Sequence, residues 1–158
     1  MQQILTTINQ QREIDYWNYK EIQKLFNKWK NIFKNVSQKT TDKDVIKFCK
    51  EFNEFNFETN NNIQKLIKKE ADHLDSYENL LTFLINNNEN IEIVTGELVM
   101  TNQELINEYV IIVETYNKNE EDFYSFIESY KIERLNKLKT LNSSLKIEEV
   151  NNFINIFE

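Results

Sequence analysis

Across 158 residues this chain carries no proline and a single glycine, Gly96. Proline interrupts helices, and glycine makes the positive-φ corners of tight turns, barrels and phosphate-cradling loops. Their loss leaves most of the chain free to be helix. It also removes the glycine-rich phosphate loop and the serine elbow as candidate catalytic motifs.

Apolar residues make up 40% of the sequence, with 11 Phe, 7 Tyr and 2 Trp. A fully buried side chain of this size stabilises a fold by roughly 1.5–3 kcal/mol, so a packed domain is expected rather than disorder. The length suits one domain, residues 1–158. Cys49 is the only cysteine, which excludes an intramolecular disulfide and favours an intracellular, cytoplasmic setting. The first residues, Met1 to Gln11, lack the basic start and apolar run of a signal peptide, and no stretch of about 18 apolar residues is present.

The net charge of −7 is unevenly placed. Residues 1–50 hold ten Lys/Arg against five Asp/Glu, residues 51–100 three against ten, and residues 101–158 six against eleven. A basic first segment is therefore joined to an acidic remainder. Charge complementarity between helices accounts for this, and so does a basic surface held out to an anionic partner. Overall acidity argues against a dedicated nucleic-acid binder.

Hydrophobic spacing predicts an all-α, elongated bundle with helices near 3–36, 42–87, 102–141 and 145–157. In the first, Ile22, Leu25, Phe26, Trp29, Ile32, Phe33 and Val36 recur at three-four spacing and line one face. The phase slips near Gln11 and Arg12, as at a stutter or bend. Thr41 with Asp44, and Thr101 with Glu104, resemble capping boxes at the next two helix starts. Phe57–Asn62 and Asn117–Asn119 are the soft points of those helices. Residues 91–100 hold the glycine between two β-branched runs, and predict either a small hairpin or an extended linker. Ser143 or Ser144 caps the last helix, whose Ile147, Val150, Ile154 and Phe157 form a terminal stripe. A second helix of about 45 residues spans about 65 Å at ~1.5 Å per residue. Its apolar stripe calls for cover from a partner or a second copy.

The most specific local signal is basic and amphipathic. Lys20, Lys24 and Lys28 recur every four residues, joined by Lys30 and Lys34, beside the aromatic face of Phe26, Trp29 and Phe33. Such a helix suits an acidic groove or an anionic membrane surface; it equally suits the core face of a bundle with solvated lysines. If that face is core, Trp29→Ala should cost about 3–5 kcal/mol. Glu70 and His73 form a Glu-x-x-His unit, half of the di-metal site of carboxylate bundles, but the chain has no second histidine to complete a symmetric one. Cys49 sits among Ile46, Phe48 and Phe52, in keeping with a small buried thiol rather than a nucleophile.

The expected function is a non-enzymatic helical interaction or assembly subunit acting by helix-on-helix docking. Its candidate partner-binding residues are Trp17, Lys20, Lys24, Lys28, Trp29, Phe33 and Phe157. The expected partner is another protein or a second copy, with no cofactor, metal or small-molecule substrate. Alternatives are a peripheral binder of anionic surfaces through the first helix, an acidic inhibitor of a nucleic-acid-binding enzyme, and a metal-binding bundle.

Overall fold

The computed structural model describes residues 2–145. Three long helices dominate it: α1 (Gln2–Lys39), α2 (Lys43–Asn86) and α3 (Gln103–Leu145). Between α2 and α3 lie a single 3-10 turn, Asn88–Asn90, and two short strands, β1 (Ile91–Val94) and β2 (Glu97–Met100). The fold is an all-α bundle with a small hairpin. None of the three soft points breaks its helix: α1 runs through Gln11 and Arg12, α2 through Phe57–Asn62, and α3 through Asn117–Asn119. Continuous i→i−4 bonding with no proline to interrupt it outweighs the modest propensity cost of the asparagines.

Three local expectations need correction. At the start of α2 the cap is Asp42, not Thr41: Asp42 Oδ1 accepts the backbone N–H of Asp44 at 2.9 Å and of Val45 at 3.3 Å. At the start of α3 it is Asn102, not Thr101, accepting from Glu104 at 2.8 Å and Leu105 at 3.4 Å. In both places a better-capping side chain stands one residue on, and its δ oxygen reaches the free N–H groups of the first turn. Ser143 and Ser144 lie within α3, which runs to Leu145, and so cap no separate helix there. The remainder of the expected 145–157 helix, with Phe157, lies outside the described residues.

The hairpin is antiparallel, pairing Ile91 with Met100, Glu92 with Val99, Ile93 with Leu98 and Val94 with Glu97. Its two-residue turn places Thr95 at φ 54 and Gly96 at φ 87. Two consecutive positive φ values match the twist of the flanking strands, as in type I′ turns. Ile91, Ile93, Leu98 and Met100 share one face, and Ile93 is 76% exposed.

The chain divides into two compact units. One comprises residues 1–16 and 67–125. Its buried apolar side chains are Ile8, Leu81, Phe83 and Leu105. Ring contacts join α2 to α3, Phe83 to Tyr109 at 5.9 Å and Tyr77 to Tyr116 at 5.7 Å. Arg12 on α1 bridges to Asp75 and, at 2.6 Å, to Glu78 on α2, one helical turn apart.

The other unit comprises, among the described residues, 17–66 and 126–145. Among its described residues only Cys49 and Leu138 are buried apolar side chains, while the polar Asn56 and Thr59 are buried beside them. An aromatic cluster ties α1 to α2 here: Phe33 lies 4.5 Å from Phe52 and 5.7 Å from Phe48, and Trp29 meets Phe52 at 6.2 Å. Lys137 of α3 reaches Glu58 of α2 and, at 2.8 Å, Glu133 of its own helix. Hydrogen bonds from its ammonium to Glu133, and then to Glu58, stabilise the charged form and raise its pKa.

Candidate interaction site

The aromatic cluster of the second unit positions everything around it. At helical spacing, Phe48, Phe52 and Phe55 share one side of α2, facing Phe26, Trp29 and Phe33 of α1. To one side of this seam lies an open cleft of about 650 Å³. Phe26, Ile46, Cys49 and Phe57 form its apolar lining, with Lys30, Lys34 and Lys50 against a single Glu54 as its charges. The α2 residues in it, Ile46, Cys49, Lys50, Asn53, Glu54, Asn56, Phe57 and Asn60, follow a three-four repeat and therefore occupy one face.

Two buried polar atoms in this cleft are unsatisfied. Asn53 Oδ1 and Asn56 Nδ2 have no hydrogen-bond partner, and Asn56 is only 5% exposed. An unpaired buried amide costs about 1–3 kcal/mol, so the wall of the cleft carries a local stability cost at these two positions. Asn60, on the same face, is already bonded to Gln23 of α1. Lys50 stands 4.0 Å from Glu54, whereas Lys30 and Lys34 pair with no carboxylate among the described residues.

The predicted partner-binding residues are not gathered at one point. Trp29 and Phe33 belong to the aromatic seam, Phe33 half-buried inside it and Trp29 at its edge, 41% exposed. Trp17 is 63% exposed. Lys20, Lys24 and Lys28 are exposed on α1, and Lys24 bonds Glu21 at 2.6 Å. Exposed Leu25, Ile32 and Val36 continue the apolar surface beside Trp29. Sequence reasoning missed the cleft itself, because Asn60 falls in the Phe57–Asn62 polar lapse of α2 and Asn53 and Asn56 carry no apolar signal. The detectable signal is their three-four register with Ile46 and Phe57.

In the first unit, His73 stacks on Phe123 at 5.6 Å and 6° and lies 5.5 Å from Tyr116, with Nδ1 buried and unpartnered. Glu70 faces Asp15 instead. Burial, and then the like charge of Asp15, raise its pKa above the usual carboxylate range. Among the described residues, no group of three or more His, Cys, Asp or Glu is placed to hold a metal ion. Burial and the Glu120 carboxylate, which accepts its hydroxyl at 2.9 Å, push Tyr116 up to about 12.

Among the described residues no helix is long and apolar enough to cross a membrane. No known protein family, curated protein or solved structure matches the chain at a significant level.

Proposed function

We propose that this chain is a non-enzymatic helical subunit that works by protein–protein contact, its long helical faces docking on another protein or on a second copy of itself. The observation that carries this reading is the balance of burial. Among the described residues six apolar side chains are buried, while eighteen large ones stay exposed. Single exposed apolar residues are ordinary, but contiguous ones mark interaction surfaces. Here Leu25, Trp29, Ile32 and Val36 run together along α1. Trp17 and Trp29 are the anchors of this reading, since large aromatics dominate binding energy at contact surfaces. Phe33 supports them from within the aromatic seam.

Sedimentation equilibrium of the purified full chain over a wide concentration range tests the self-docking form. The expected mass rises above the 19.2 kDa of one chain. A well-folded species that keeps the single-chain mass at every concentration refutes it.

The second reading, a peripheral binder of anionic surfaces, is favoured by one observation: Lys24 and Lys28 are exposed on the same helix as Trp17, Leu25 and Trp29. Aromatic anchors with flanking lysines suit the headgroup region. Co-sedimentation with phosphatidylserine vesicles, and none with phosphatidylcholine vesicles, supports this reading; equal retention by both or neither counts against it.

A further inference from the structure

Two surfaces on this chain answer one another. The first is the α1/α2 cleft, basic at its rim and apolar along its length. The second is the outer face of α3 between Val110 and Tyr124. Glu114, Asn117, Glu121 and Tyr124 follow a three-four spacing and are all exposed, as are Val110 and Ile111. Glu114 and Glu121 stand on that face with Lys118 beside them, while Glu120 accepts from Tyr116 and Asp122 pairs with Lys69.

We propose that the cleft receives the outer face of α3 from a second copy of this chain. The proposal rests on the assembly reading above and names its partner. Three observations support it. Lys30 and Lys34, unpaired among the described residues, gain Glu114 and Glu121, which likewise form no ion pair there. Phe57 and Ile46 in the cleft, and Tyr124 and Ile111 on α3, are exposed large hydrophobics on both sides of the contact. The cleft runs along α2 from Ile46 to Asn60, about 21 Å at ~1.5 Å per residue, and Val110 to Tyr124 spans the same length.

Cleft-to-cleft pairing is disfavoured, because it sets three lysines against three. The contact is instead heterologous, one surface against a different one. Such contacts close into rings or grow into open assemblies rather than stopping at a two-fold dimer. Charge at the rim sets register and encounter rate more than net affinity.

The test uses two full-length double variants, Lys30→Glu with Lys34→Glu, and Glu114→Lys with Glu121→Lys, in sedimentation velocity at low salt. All four positions are exposed, where substitutions rarely disturb folding; circular dichroism of each variant verifies it. Each variant alone sets like charge on like and should associate at least about tenfold more weakly than wild type. An equimolar mixture pairs the acidic cleft of one with the basic α3 of the other, and should regain association. Recovery on mixing cannot arise from misfolding. A wild type that associates, with variants that associate equally well or a mixture that stays weak, overturns this pairing and leaves the assembly reading standing. A wild type that remains a single chain overturns the pairing and self-assembly together.

Discussion

Removing the Phe52 ring should destabilise the fold more than removing the larger Trp29 indole. Phe52 is the hub of the second unit's seam, touching Trp29, Phe33, Phe48 and Phe55 with ring centroids 4.5–6.2 Å apart. Among the described residues Trp29 touches two rings, Phe26 and Phe52, and is 41% exposed. A fully buried Phe or Trp cut to Ala costs about 3–5 kcal/mol, and each aromatic pair adds about 0.5–1.5 kcal/mol beyond area. Phe52 keeps part of its surface in water, so Phe52→Ala should cost about 2–3 kcal/mol and Trp29→Ala about 1–2 kcal/mol. The second figure is below the value expected if Trp29 were core. With a urea m-value of about 2 kcal/mol/M, the midpoints should fall by roughly 1–1.5 M and 0.5–1 M. Urea unfolding followed by far-UV circular dichroism, at two protein concentrations to separate association from intrinsic stability, reads both. A Trp29→Ala loss equal to or larger than that of Phe52→Ala at the lower concentration would refute the packing argument.

Glu70 has a raised pKa in the folded chain, chiefly through burial, so the folded state holds its proton to higher pH than the unfolded state. Its contribution is full below the unfolded pKa and is lost as pH rises through the folded one. Glu70→Gln should therefore raise the melting temperature at neutral pH and flatten that dependence; an unchanged pH profile contradicts it. Asp42→Ala and Asn102→Ala should each cost about 1 kcal/mol in thermal or chemical unfolding, whereas Thr41→Ala and Thr101→Ala should cost far less. Equal losses at the threonines would mean the caps are misassigned. Thr95, a β-branched residue held at φ 54, is strained, and Thr95→Asn should slow amide exchange in the hairpin, consistent with about 1 kcal/mol of relief. At Gly96, where an added Cβ would meet nothing within 4 Å, Gly96→Ala should speed that exchange through backbone strain alone.

The helices were legible because nothing in the sequence opposes them. With proline absent, the three-four spacing of Ile22 through Val36 translated directly into a helical face, and the one glycine marked the one hairpin turn. The capping residues were read one position early, since a threonine and a following carboxylate satisfy the pattern while only geometry shows which oxygen reaches the first-turn N–H groups. The Phe57–Asn62 lapse was misleading for a related reason. A polar residue facing a cleft and one facing bulk solvent look alike in a periodicity, so Asn53 and Asn56 gave no sign of burial. The basic repeat at Lys20, Lys24 and Lys28 was visible, but which lysines border the cleft, Lys30 and Lys34, depends on how α1 is rotated against α2. That rotation is fixed by the ring packing of Phe33 and Phe52.

The central claim is that the exposed apolar faces of this chain are contact surfaces. Hydroxyl-radical footprinting of the full chain, at a concentration where it is a single species and at one where it is associated, reads those side chains directly. Labelling of Ile46, Phe57, Ile111 and Tyr124 is expected to fall on association, with unexposed Phe83 unchanged in both states. The same labelling at both concentrations, for these four residues and for Leu25, Trp29, Ile32 and Val36 on α1 alike, would contradict the account.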